Sequence, residues 1–400
     1  MKYILLVGDG MADYPVRELG NKTPLETAKI PNMDLLAKNG KVGLVNTVPK
    51  GFAPASDVAN LSIIGYDPRK YYSGRGPLEA ANMGIKLGPD DIAFRCNLVT
   101  IDNGLMADYS AGHITTEEAS TLIKLLDMKL GSDKIKFYPG VSYRHLMIVS
   151  DASLKDTLMD LECIPPHDIT GEAIKGRLPK GKGSEFIAKL IEDSKPVLSS
   201  HEINQVRIDL KENPANMIWL WGQGVNANMP KFKDLFGVEG SVISAVDLIK
   251  GIGKIIGLEV IEVPGATGYY DTNYQGKARY AVDSLGRRDF VFVHVEAPDE
   301  AGHNGDLRAK INAIENFDRF VVGGILEKFS GRKDFRIMVL PDHFTPVTLR
   351  THTREPVPFL MFGNGISANG AEGFSEASAK NSGISFSHGE ELMRDFMASN

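Results

Sequence analysis

Three short stretches late in the chain carry residue types that bind divalent metals: "APDEAGHNGD", "LPDHFTP" and "RTHTREPVP". The first spaces Asp299 and His303 four apart, so one helical turn puts both on the same face. The second sets Asp342 and His343 side by side after an apolar run, where alternating side-chain directions let them serve two neighbouring sites. The third adds His352 from a loop, and Asp9 closes the first apolar run of the chain, "YILLVGDG". A mixed Asp/His set suits Mn²⁺ or Zn²⁺ better than Mg²⁺ or Ca²⁺, which prefer oxygen. Six ligands exceed what one catalytic ion takes, so the economical expectation is two ions roughly 3.5–4 Å apart, the spacing of phosphoryl-transfer clamps.

That expectation changes the meaning of "PASDVAN". A serine ahead of an apolar helical run is ordinarily an N-cap. Beside a divalent cation, however, Ser56 could lose its proton and attack phosphorus, with the N–H groups of a helix start favouring the anion. A structural metal site is the competing reading, but such sites are usually closed by Cys and His ligands, and here no cysteine joins the set.

The elements that must position these residues alternate between apolar strands and helices. "DFVFVHVEAPD", "FRIMVLPDH" and "PVPFLMFGNG" read as strands, and the spans Tyr274–Leu285 and Leu307–Phe329 as helices. Such alternation predicts an α/β fold, a mostly parallel sheet with helices on both faces and its site outside the carboxyl ends of the strands. The middle differs. "IAFRCNLVTID" and "GLMADYS" predict two strands joined at Asn103-Gly104; Thr115 and Glu118 have capping-box spacing ahead of a helix; "IKFYPGVSYRHLMIV" supplies further strands. These predict an inserted α+β domain over 88–182, ending in the Pro/Gly/Lys-rich "GRLPKGKGSE", with the core domain formed by 1–87 and 183–400.

The 400 residues are 42% hydrophobic and 24% charged, enough for a large core. A net charge of −6 argues against a nucleic-acid binder. Two cysteines, Cys96 and Cys163, stand outside any metal-type spacing, so a reducing cytoplasm is the expected compartment. The apolar start is too short for a signal peptide or a membrane span. The expected partner is a small phosphorylated molecule, with no nucleic acid and no membrane; oligomeric state is not legible.

Together "VGDGMAD", "PASDVANLSIIGYDP", "GRGPLEA", "APDEAGHNGD", "LPDHFTP" and "HTREPVPFL" resemble the archaeal-type 2,3-bisphosphoglycerate-independent phosphoglycerate mutases of the alkaline phosphatase superfamily, over essentially the full chain. The resemblance implies an alkaline-phosphatase-like core domain with two Mn²⁺ or Zn²⁺ ions and a second domain that caps the substrate. One ion would be held by Asp9, Ser56, Asp342 and His343, the other by Asp299, His303 and His352. Ser56 would carry the phosphoryl group as phosphoserine between 3-phosphoglycerate and 2-phosphoglycerate, and Asp57 would position a substrate hydroxyl or transfer a proton. Arg75, Arg95, Arg144, His145 and Lys277 resemble the basic substrate contacts. Two segments depart from the pattern: "DYSAGH" (Asp108 to His113) stands where these mutases carry arginines, and "WLWGQG" (Trp219 to Gly224) lacks their basic residue before the glycine. The changed segment is similar to a bacterial branch proposed as homoserine kinase, so that activity, or phosphomonoester hydrolysis, is the alternative. There is no G-x-x-x-x-G-K-[ST] loop for a nucleotide.

Overall fold

The computed structural model describes residues 1–398. Its strands in chain order are β1 (Lys2–Gly8), β2 (Lys41–Val45), β3 (Asp91–Asp102), β4 (Leu105–Asp108), β5 (Ile135–Val141), β6 (Arg144–Ser150), β7 (Met217–Val225), β8 (Gly240–Ile243), β9 (Glu259–Val260), β10 (Phe290–Val295), β11 (Phe335–Leu340), β12 (Val357–Gly363) and β13 (Ser385–Phe386). Two compact units emerge: Met1–Tyr72 with Met229–Asn400, and Ser73–Asn228.

The first unit is built on a sheet in the order β13-β2-β12-β11-β1-β10-β8-β9. β1 lies between β10 and β11, parallel to both, while β12 runs antiparallel to β11 and β2. The central strands are buried on both faces, which explains their unbroken apolar runs. Helices cover each face. Ile4, Leu6, Val291, Val293, Ile337 and Val339 share one core with Met33, Ala278, Ile314 and Ile325 of the helices. On the opposite face, Phe232 stacks against Phe290 at 4.5 Å and Phe396 meets Tyr3 edge-on.

A buried ion pair ties the segment after β1 to the helix Leu307–Asn316. Lys310 Nζ lies 2.7 Å from Asp13 Oδ2 with both side chains fully enclosed, and it also donates to the carbonyls of Ala12 and Thr345. Replacing Lys310 by Met should cost about 3–5 kcal/mol, because the Asp13 carboxylate is left buried without its partner. Urea unfolding measures this; a midpoint equal to that of the parent protein would mean that the pair contributes nothing.

The second unit is an antiparallel sheet centred on β3, which pairs with β4, β6 and β7. Asn103 and Gly104 both take positive φ and close the β3–β4 hairpin. The helix Thr116–Leu130 opens with the Thr115–Glu118 capping box. With Ser184–Ser199, this helix packs on one sheet face. The other face meets Ala80 of the helix Arg75–Asn82. This unit extends beyond 88–182 at both ends. Strand β7 belongs to the same sheet as β3, a pairing across more than a hundred residues that no composition change marks, and the helix at Arg75 packs on that sheet. Among the described residues, no helix is long and apolar enough to cross a membrane.

Candidate active site

The acidic and histidine side chains collect at the carboxyl ends of β1, β10 and β11 and in the loop before β12, which starts at that end because it runs antiparallel. Asp9 follows β1 and is 1% exposed. Asp342 and His343 follow β11, both fully buried. The backbone N–H groups of Gly10 and His343 donate to Asp342 Oδ1, which fixes that carboxylate. Gly10 takes φ +58°, and a Cβ there would sit 2.5 Å from Asp299 Oδ1, so only glycine lets the chain pass.

Ser56 is the first residue of the helix Ser56–Ile63; Ala55 is its N-cap, and no side chain caps it. The serine hydroxyl is therefore not spent on the backbone. Its Oγ lies 3.1 Å from His343 Nε2. The tautomer of His343 follows from its other nitrogen. Thr345 Oγ1 donates to Asp299 Oδ1 at 2.5 Å, so the same oxygen accepts from His343 Nδ1–H at 3.1 Å. Nε2 then carries a lone pair directed at Ser56 and stands 3.4–3.5 Å from Asp342 Oδ2 and Asp9 Oδ1. Burial pushes His343 down to about 4, which keeps the ring neutral. Asp9, Asp342 and His343 each offer an atom within 4.8 Å of the others, and Asp9 Oδ1 is buried without a hydrogen-bond partner. Burial and then the neighbouring Asp342 and Asp299 carboxylates drive the Asp9 carboxyl well above its usual range. A divalent cation would relieve both the orphaned oxygen and this repulsion.

A second cluster adjoins the first through His343. In the helix Ala297–Asn304, His303 Nε2 stands 3.3 Å from Asp299 Oδ2, as the four-residue spacing predicts. His352 Nε2 stands 3.4 Å from Asp299 Oδ1 and 2.8 Å from His303 Nε2. The Nδ1 atoms of His303 and His352 face the carbonyls of Arg350 and Pro54, so both rings aim Nε2 inward. Burial disfavours charge on His303, but the Asp299 hydrogen bond and field outweigh it and raise the ring to about 9. The field that holds a proton there suits a cation. Asp299, His343 and His352 form a further ligand-type group, so His343 reaches both clusters.

Several neighbours escaped sequence reading. Asn60, one helical turn after Ser56, donates to Asp342 Oδ2 at 2.8 Å, and Thr47 Oγ1 donates to the Asp342 carbonyl. The i,i+4 spacing inside "SDVAN" was the available signal for Asn60; Thr345 lay inside the quoted "LPDHFTP", and nothing marked Thr47. Asp57 is buried, and its Oδ2 accepts the Tyr72 hydroxyl at 2.6 Å. Lys277 is fully enclosed in the helix Tyr274–Leu285, donates to the His294 carbonyl at 2.8 Å, and is brought down to about 8 by burial.

The remaining basic residues lie in the Ser73–Asn228 unit. Arg75 and Arg95 converge on one carboxylate, Glu79, and both guanidinium groups lie over the Trp221 ring, at 5.6 and 4.8 Å. Arg95 is buried within β3 and pushed down to about 10 by that burial. The β3–β6 register puts exposed Arg144 opposite Asn97, on the Arg95 face. His145 pairs with Cys96 and so points to the other face, where its Nδ1 accepts the Gly140 N–H and burial lowers it to about 3. The structure thus separates His145 from the three arginines. In "DYSAGH", Asp108 organises the loop by accepting from Ser110, Gly112 and Asn213. Tyr109 meets the Tyr143 and His167 rings, and His167 meets Trp221.

Comparison with known proteins finds relatives over the full length of the chain. The family model described as 2,3-bisphosphoglycerate-independent phosphoglycerate mutase matches residues 37–204. The protein of that name from Methanosarcina acetivorans is 54% identical over 98% of both chains. Among solved structures, the PH0037 protein of Pyrococcus horikoshii is 31% identical with a TM-score of 0.83, over 100% of this chain and 98% of that one. The cofactor-independent phosphoglycerate mutase of Thermoplasma acidophilum is 27% identical with a TM-score of 0.65, over 99% of each. With full-length identity this high and an α/β fold to match, the chain belongs to the 2,3-bisphosphoglycerate-independent phosphoglycerate mutase family.

Proposed function

We propose that this protein interconverts 3-phosphoglycerate and 2-phosphoglycerate through a phosphoserine on Ser56, without a bisphosphoglycerate cofactor and in the cytoplasm. The observation that carries the reading is the uncapped Ser56 hydroxyl, 3.1 Å from the His343 lone pair and beside buried carboxylates. In this reading Asp9, Ser56, Asp342 and His343 hold one Mn²⁺ or Zn²⁺, and Asp299, His303 and His352 hold the other. Bound there, the two cations supply Lewis-acid chemistry, lowering the serine pKa and offsetting charge on the phosphoryl oxygens.

The residues do the rest. Ser56 Oγ bonds to phosphorus as the bond to O3 breaks; the serine loses its proton and O3 gains one. In the second half O2 of the reoriented glycerate loses its proton and attacks, the bond to Oγ breaks, and the serine is protonated again. His343 Nε2 orients the Ser56 hydroxyl, and the helix start offers backbone N–H groups to the phosphoryl oxygens. Asp57, held by Tyr72, is placed to guide a substrate hydroxyl or its proton. Lys277 supplies a buried positive charge, and Arg75, Arg95 and Arg144 contact the substrate phosphate or carboxylate. His145, a core histidine in geometry, keeps a role only in shaping the sheet that carries Arg144 and Arg95.

Identity above 50% to a chain named for the mutase favours this activity over homoserine phosphorylation. The deciding experiment is an enolase-coupled assay on 3-phosphoglycerate with Mn²⁺ and no bisphosphoglycerate. Turnover at an ordinary enzymatic rate is expected; its absence beside intact phosphatase activity would overturn the mutase assignment. Arg75→Ala should lower kcat/KM by roughly 10–100-fold, the worth of a charge-assisted contact. An unchanged value would confine Arg75 to structural contacts such as those with Glu79 and Trp221.

A further inference from the structure

Arg75 opens the helix Arg75–Asn82 and Glu79 follows it by one turn, so the two side chains share a face. Glu79 Oε1 accepts from Arg75 Nε at 3.2 Å and also from Arg95 Nη1 of β3. Glu79 is 8% exposed, so this bridge is largely shielded from solvent. Trp221 of β7 stands opposite Arg95 in the β3–β7 register, and both guanidinium groups lie over its ring. The ring is itself fixed: its Nε1 donates at 3.1 Å to Asn97 Oδ1, which also accepts from Arg95 Nη2 at 3.4 Å. The chain then passes so close at Gly222 that a Cβ there would stand 3.3 Å from Arg95 Cγ and 3.4 Å from Arg75 Cβ. Arg95 Nε nonetheless stays buried without a hydrogen-bond partner, and the charges of Arg75 and Arg144 both act on this guanidinium. Glu79 thus sets one negative charge against three positive ones, a surplus suited to an oxyanion.

We propose that Glu79 and Trp221 are positioning residues for phosphoglycerate, holding the Arg75 and Arg95 guanidinium groups as a preset pair that receives an oxyanion of the substrate. Guanidinium groups match carboxylate and phosphate oxygens through paired N–H donors, but a long side chain ordinarily loses rotamer freedom when it binds. The Glu79 bridge and the Trp221 ring restrict both arginines beforehand, so less of that entropy is lost when the substrate enters. Neither Glu79 nor Trp221 has to touch the substrate. Removing the ring loosens the pair, and shortening the carboxylate by one methylene shifts the bridge. Both changes leave the charge of the pair and its partner as it was.

The inference rests on the reading that Arg75 and Arg95 contact phosphoglycerate, and kinetics combined with direct binding separates the two. The full chain with Mn²⁺ is assayed on 3-phosphoglycerate for kcat and KM. It is also titrated calorimetrically with D-glycerate, which has only the carboxylate, and with glycerol 3-phosphate, which has only the phosphate. Glu79→Asp and Trp221→Leu should each raise KM by about 10-fold while kcat changes by less than about 3-fold. Trp221→Phe keeps the ring face and should return KM to within about 3-fold of the parent value. The anion that binds more weakly in the same variants is the one the pair receives. A merely structural role would reduce the folded fraction, and with it the apparent kcat, while leaving KM unchanged; that result would overturn the proposal. Trp221 is buried, so Glu79→Asp carries the test if Trp221→Leu fails to fold. If the parent protein has no mutase turnover, the mutase reading fails and the calorimetric affinities alone decide. Equal affinities in the parent and both variants, or no binding of either anion, would then overturn the positioning role.

Discussion

Ser56→Ala is expected to abolish phosphoenzyme formation and to reduce mutase turnover by roughly 10⁴-fold or more, the scale of losses when a covalent nucleophile is removed. The size follows from geometry. No second hydroxyl of the cluster occupies the same place: Thr345 Oγ1 is committed to Asp299 and His343, and Thr47 Oγ1 to the Asp342 carbonyl. The fold should survive, since the Ser56 side chain caps nothing and Ala55 already holds the N-cap position. Asp9, Asp342 and His343 remain, so metal should still bind. Intact-mass spectrometry after mixing with 3-phosphoglycerate reads the phosphoserine directly. A normal yield of phosphoenzyme from the variant would end the mechanism.

Removing divalent metal should have an effect of similar scale, a loss of at least about 10³-fold that Mn²⁺ restores. Asp9, Asp342 and Asp299 lie close enough that burial and mutual repulsion drive the Asp9 carboxyl far above its ordinary range. A phosphate dianion entering such a cluster meets like charge, and the neutral ring of His343 offers no compensation. Lys277 and Lys310, the buried lysines of this unit, are bonded to the His294 carbonyl and to Asp13, and the charge on His303 is offset by Asp299. The test is the coupled assay after chelator treatment and desalting, with residual metal measured on the same sample. Full activity in metal-free protein would rule out the two-cation site.

Much of this was present in local patterns. Apolar runs of strand length, each ending in polar residues, mark β1, β10 and β11, because a strand buried on both faces must be apolar throughout. The four-residue spacing of Asp299 and His303 is a property of any helix, and the Thr115–Glu118 box and the Asn103-Gly104 turn are equally local. Such signals need only a few neighbouring residues.

Long-range pairing settled what these patterns left open. "PASDVAN" alone does not say whether its serine caps a helix. The chain enters the helix one residue earlier than a serine cap requires, and that frees the hydroxyl for a histidine 287 positions away. Sheet register decided that Arg95 and Arg144 share a face while His145 turns away, since one step along a strand reverses every side chain. It also drew β7 into the sheet of β3, moving the boundaries of the second unit out to Ser73 and Asn228. The residue types and their local periods were thus legible from the chain alone. Which of them meet depended on pairings between strands up to several hundred residues apart, because contacts at that separation leave no mark on the local sequence.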